Sequence, residues 1–353
     1  MPKTTALNSF VAVVAVAIVM PLIVTPLQAQ QTAAAETFSH SINWLSDHSV
    51  LTSAADRPTA EAEDPRQAHR VLLTYDFGFS VDSQWSLNGN LKMARGDNGE
   101  DLTQNLQGIS NIDAEPFSKL YELYLQYQFN PQTRLKCGQV DANLEFAFVP
   151  VAGGFISPPL GITPTAIALP TYYDPAMSCS VFYEPEQGWQ WMGGVFAGRD
   201  HLNFAEQFYL AESRYLTANS RSTVGYWRHN GDWEDLADGQ IKAISGWYLN
   251  YQYQLSADWS LLAVWSGLRD YVDVSRQHQM LGAVRQFDKH QLGLMASKVL
   301  VPQQQAEWLA EIYWQHQWLE QVQLQPVLQW VRHSEPDWGN NLVVSVRLNW
   351  TWF

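Results

Sequence analysis

Basic residues, cysteine and long apolar runs are all scarce in this chain. Its 21 Lys and Arg face 35 Asp and Glu, a formal charge of −14. No basic patch gathers to meet phosphates, which excludes nucleic acid as a partner. Cys137 and Cys179 are the only cysteines, and neither stands next to the end of the N-terminal apolar run, so a lipid-anchored product is not expected. Beyond that run nothing approaches 18 consecutive apolar residues, and no helix is expected to cross a bilayer. Catalytic signatures are missing too. The chain has no G-x-S-x-G, no H-E-x-x-H and no glycine-rich phosphate loop, and its nine His are scattered. No cofactor or metal is expected, and an enzyme is disfavoured.

The one apolar run, "FVAVVAVAIVMPLIV" at 10–24, follows Lys3 and precedes "TPLQA". It falls short of the ~20 residues of a spanning helix and fits a secretory signal cleaved after Ala29. The expected organisation is a signal at 1–29, a short segment at 30–39 and one domain at 40–353. Acidic blocks at 60–64, 96–101 and 231–238 read as solvated loops. Divalent cations bridging these carboxylates to lipid headgroups are the alternative use.

Tryptophan and tyrosine are abundant, with 16 and 15 copies. Both join an apolar body to a polar tip and suit the membrane–water interface. Alternation of period 2 recurs along the chain. Val71, Leu73, Tyr75, Phe77 and Phe79 face one way and Arg70, Leu72, Thr74 and Asp76 the other. "WSLNGNLKM", "YELYLQYQF" and "WYLNYQYQL" repeat the pattern, and Tyr121, Leu123, Leu125, Tyr127 and Phe129 are assigned to one apolar face. Each segment has about the 9–11 residues that a tilted strand needs to cross a bilayer. The stretch "NLVVSVRLNWTWF" sets Leu342, Val344, Val346, Leu348, Trp350 and Trp352 against Ser345, Arg347, Asn349 and Thr351. An apolar outer face, a polar inner face and a terminal aromatic are how an outer-membrane barrel closes.

Connections alternate in length. Short ones at 82–84, 130–132, 184–188, 217–219, 256–258, 288–289 and 320–321 separate long ones near 95–118, 141–176, 199–206, 230–244, 268–274, 301–305 and 333–340. Tight turns on one rim and long loops on the other are the outer-membrane pattern. Fifteen strands follow from His69 onward. A closed barrel with both chain ends on the short-turn rim needs one strand more, and an open barrel would leave an edge unpaired in lipid, so a further strand is expected around 40–52. The predicted fold is all-β: a transmembrane antiparallel barrel of sixteen strands in the outer membrane, in contact with its lipids.

The link at 141–176 is rich in Pro, Gly and apolar residues instead of acidic ones. An apolar loop in water would be anomalous, whereas one folded into the lumen would be stable and would narrow a pore. A cap over the barrel mouth is the other arrangement. Arg70, Asp76, Lys92, Glu122, Arg134 and Lys136 fall on inward positions, and rings of such side chains set selectivity. Phe146, Phe148, Tyr172 or Tyr173 could stack on the apolar face of a sugar.

The blocks "LQGISNI", "LYELYLQYQF", "CGQVDANLEF", "GWQWMGGVFAGRD", "GYWRHNGDW" and "LQPVLQWV" resemble, in order, those of the carbohydrate-selective porins of the OprB type. The resemblance implies passive, selective diffusion of mono- or small oligosaccharides through a loop-narrowed pore of sixteen strands. It places Gly138, Gln139, Glu145 and Phe146 at the start of the constricting loop. This chain departs from the pattern at Val327, where the family usually has an acid, and in its shorter loops. A general diffusion porin, a plugged structural barrel and, more remotely, an enzyme barrel are the rival readings, and a homo-oligomer is compatible with each. With Val140 opposite Ala176, Cys137 falls opposite Cys179 on the outward face. Either a disulfide or two free lipid-facing thiols would fit.

Overall fold

The computed structural model describes residues 37–54, 66–158, 161, 163–185, 187–198, 200–234, 241–269, 277–302, 304–335 and 339–352. The expected signal at 1–29 and the acidic block at 60–64 lie outside them. Sixteen antiparallel strands form a closed barrel in which each strand pairs with its neighbours in sequence and the first pairs with the last. They are β1 (Thr37–Ala54), β2 (Gln67–Ser80), β3 (Trp85–Gly96), β4 (Phe117–Asn130), β5 (Thr133–Val140), β6 (Ala176–Tyr183), β7 (Trp189–Ala197), β8 (Gln207–Leu216), β9 (Ser220–Glu234), β10 (Ile241–Gln254), β11 (Trp259–Arg269), β12 (Gln277–Phe287), β13 (His290–Leu300), β14 (Glu307–Leu319), β15 (Val322–Arg332) and β16 (Asn340–Trp352). Closure leaves no strand edge without a partner. Among the described residues no helix is long and apolar enough to cross a membrane.

The additional N-terminal strand exists and is longer than expected. It begins at Thr37, inside the segment read as 30–39, because its ladder with β2 runs on to Ser80. The seven short turns fall where the period-2 pattern breaks, and the long connections all emerge at the opposite rim.

The usual relation of core to surface is inverted. Outward positions such as Leu281, Leu294 and Val224 are more than half exposed, forming an apolar belt around the barrel. Aromatic pairs collect at the short-turn rim: Trp350–Trp352 at 4.2 Å, Trp85–Tyr127 at 4.3 Å and Trp189–Tyr215 at 4.8 Å between ring centroids. A belt of this kind with an aromatic girdle suits hydrocarbon bounded by headgroups. The buried apolar core lies inside instead, where Leu102, Ile109, Phe146, Phe155 and Ile156 from two long connections meet Phe196, Val331 and Val343 of the wall.

One face assignment needs correction. Tyr121 does not continue the outward row of β4. The register between β3 and β4 slips at Asn90/Leu91, so Leu120 and Leu123 point outward while Tyr121 and Glu122 are both buried inside. A bulge inserts one residue and reverses the alternation beyond it, which uniform period-2 reading misses.

Candidate pore constriction

The 141–176 segment turns inward at the end of β5 through a corner built from neighbouring strands. Gly138 has φ +143°, and a Cβ there would lie 2.2 Å from the Leu123 carbonyl, so only glycine fits. Tyr121 donates its hydroxyl to Asp141 Oδ2, and Glu122 Oε1 accepts from the Asp141 N–H at 3.0 Å. Asp141 in turn caps a single 3-10 turn, Ala142–Leu144, by accepting from the Asn143 N–H.

From that corner the chain runs along the inner wall. Its backbone donors are received by side chains that point into the barrel. Ala147 N–H donates to Glu212 Oε2 on β8 at 2.7 Å, and Val151 N–H to Gln252 Oε1 on β10 at 2.9 Å. Ile156 and Ser157 N–H both donate to Glu311 on β14, at 2.8 and 2.9 Å. Gln325 of β15 donates to the Gly154 carbonyl, and Gln329 to Ser157 Oγ. The return limb bonds Thr165 to Ser266 of β11 at 2.6 Å before reaching β6. This answers how an apolar segment can leave helix and sheet and still be buried. The peptide groups of Ala147, Val151, Gly154, Ile156 and Ser157 are met by wall glutamates and glutamines, and apolar side chains such as Phe146, Phe155 and Ile156 join the core.

The shorter connection at 97–116 is held the same way. Glu307 accepts from the Leu106 and Gln107 N–H groups. Arg347 grips Asp47 with two bonds of 2.7 Å, and Asp47 also accepts from Ser110 Oγ. Arg70 Nε lies 2.8 Å from Asp113 Oδ1.

Of the residues singled out in the sequence, Arg134, Lys136 and Glu145 come together. Glu145 accepts from both terminal nitrogens of Arg134, at 3.1 and 2.8 Å, and from Lys136 Nζ at 3.4 Å. Burial alone would raise the Glu145 carboxyl, but Arg134 and Lys136 outweigh it and hold it below the usual carboxylate range. Arg134 also covers the Phe182 ring at 3.6 Å and Lys136 the Tyr124 ring at 3.8 Å. Phe148, further along the segment, is 41 % exposed.

Other expected members do not join. Arg70 and Glu122 are fully buried anchors, and Glu122 is taken up by Asn90 and the Asp141 N–H. Phe146 is no stacking surface: it is buried against Phe182 and Phe196, its ring centroid 5.7 and 6.0 Å from theirs. Asp76 is half-buried on β2, next to Ser41. Tyr172 and Tyr173 lie at the far end of the segment, where they border a separate cavity of about 370 Å³ with Thr171, Asp174 and His201. Tyr172 donates its hydroxyl to the Ile112 carbonyl, joining the two long connections.

Sequence reasoning missed Tyr121, Glu212, Arg214, Arg221, Glu307 and Glu311. Inward parity was the available signal for the last five, since each sits in phase with buried neighbours on its strand. Their partners are up to 201 residues distant in sequence, and parity does not reveal them. Cys137 lies opposite Cys179 in the β5–β6 ladder, on the outward side, and the two sulfurs are bonded.

No family model matches this chain, and no curated protein does. Solved structures do. The high-pH structure of Pseudomonas putida OprB superposes with a TM-score of 0.77 at 13 % identity, covering 89 % of this chain and 94 % of that one. The low-pH structure of the same protein gives 0.59 at 12 % identity, with coverages of 89 % and 92 %. A mutant form of the Rhodopseudomonas blastica porin gives 0.60 at 10 % identity, over 90 % of this chain and all of that one. With its closed ring of sixteen antiparallel strands, this chain has the porin fold.

Proposed function

We propose that this protein is an outer-membrane porin through which mono- or small oligosaccharides diffuse passively. The observation that carries the reading is the 141–176 segment, bonded to the inner wall at β8, β10, β11, β14 and β15. A segment laid across a lumen and held from several sides narrows the passage and fixes its shape. At its edge Arg134, Lys136 and Glu145 offer donors and acceptors for hydroxyl groups, and Phe148 offers an apolar face. That pairing of polar groups with an aromatic ring suits sugars, and the likeness to OprB points the same way. In this reading residues 1–29 export the chain, the short turns face the periplasm and the apolar belt contacts lipid. Passage needs no catalysis.

A plugged barrel is the rival, favoured by the buried apolar packing of Phe146, Phe155 and Ile156. Liposome swelling with neutral sugars of increasing size separates the two. A porin gives swelling rates that fall steeply from monosaccharide to oligosaccharide. No swelling with any sugar would support the plug, and equal rates for all would support a general diffusion pore.

A further inference from the structure

Near the short-turn rim, the lumen wall from β5 to β9 carries charge of uneven sign. Arg134 and Lys136 on β5, Arg214 on β8 and Arg221 on β9 face inward. They are met by Glu145 of the segment and Glu212 of β8. The two carboxylates are already committed. Glu145 is shared by Arg134 and Lys136; Glu212 contacts Arg214 and also accepts from Ala147 N–H and the Tyr248 hydroxyl. Arg221 is left over. Among the described residues it touches no carboxylate, and its one hydrogen bond goes to the Phe148 carbonyl at 3.3 Å, through a terminal nitrogen. Its Nε is buried and has no partner. Arg214, on the neighbouring strand, adds a second positive charge that outweighs the nearby Glu212.

A half-buried guanidinium with unused donors beside another cation is short of an anion. Its planar fork matches a carboxylate, which can take two parallel hydrogen bonds from it. Phe148 supplies the second element. Its carbonyl accepts from Arg221 and its side chain is exposed, so an aromatic residue adjoins a guanidinium that has no carboxylate partner among the described residues. Given the porin reading on which this rests, we propose that Arg221 and Phe148 form a station for sugar acids. The carboxylate would be held by Arg221 and the apolar face of the ring would rest on Phe148. A neutral sugar would use only the aromatic half. The station lies on the periplasmic side of the constriction, where it would draw an acidic sugar through.

The test uses the full-length protein in planar bilayers at constant potassium chloride, with glucuronate or glucose added on the short-turn side. Glucuronate should reduce the current at a concentration about tenfold lower than glucose, the margin of one charge-assisted hydrogen bond. R221Q should bring glucuronate to the level of glucose without moving glucose. R221K should retain part of the preference, and Phe148→Ala should weaken both sugars. Equal block by the two sugars in the unmodified protein would overturn the proposal while leaving the channel standing, as would a preference that survives in R221Q. Absence of any conductance in the unmodified protein would overturn the channel and the station together. Should R221Q fail to fold, R221K and Phe148→Ala still decide: glucuronate preference unchanged in both rejects the station.

Discussion

Glu145 shows how much one side chain does where the 141–176 segment leaves β5. It holds Arg134 with two hydrogen bonds and Lys136 with a third, while its backbone carbonyl accepts from Arg214. Replacing it with Gln keeps the shape but removes the charge that balances two cations. The expected outcome for E145Q is a shift of reversal potential towards anions and weaker sugar block, with about 1–3 kcal/mol lost from the pairing. Because the folded carboxyl is held below its usual value, its contribution is fully present above the unfolded value of about 4.3 and is lost as pH falls through the lower folded one. Open-channel noise in the unmodified protein should therefore rise on acidification below about pH 4, and E145Q should flatten that dependence. Noise that rises equally in both would place the acid response elsewhere. The cysteines make a second prediction at this scale. With Cys137 and Cys179 bonded, denatured but unreduced protein should yield no thiol to a maleimide and two after reduction. Two thiols without reduction would mean free side chains facing lipid.

At the scale of the element, the 141–176 segment depends on the wall for its peptide partners. Glu311 is almost wholly buried and receives the Ile156 and Ser157 N–H groups, the Ser157 hydroxyl and Gln329. Glu311→Ala should free the middle of the segment, at about 1–3 kcal/mol for each N–H left unpaired. Channels of this variant should be larger on average and should flicker, whereas quiet steps of ordinary size would show that apolar packing alone holds the segment. Part of this arrangement was legible beforehand. Apolar composition singled out the segment, and strand parity put Arg134 and Lys136 on the inner face. What was not legible has physical causes. A bulge at Tyr121 reverses the face of that residue, and a bulge has no period-2 signature. Glu212, Glu307 and Glu311 look like ordinary inward carboxylates until the two long connections arrive to fill them. Phe146 has the composition of a stacking surface, and only the rings of Phe182 and Phe196 show that it belongs to the core.

For the whole molecule, fifteen strands followed from alternation and connection length, signals that repeat along the chain, and the sixteenth from closure. An error in one strand, such as the start of β1 at Thr37, is absorbed by the requirement that the sheet close. Interior organisation has no such redundancy, since each lumen contact occurs once. The central claim is that an open channel runs through this barrel and that the 141–176 segment narrows it. Single-channel recording of the unmodified protein beside a variant lacking residues 150–170 tests this most directly, with a heat-modifiability gel to show that both barrels are folded. The account predicts small, stable steps for the unmodified protein, and larger steps with weaker discrimination among sugars for the deletion. Folded barrels with equal conductance would place the segment outside the conducting path and contradict it.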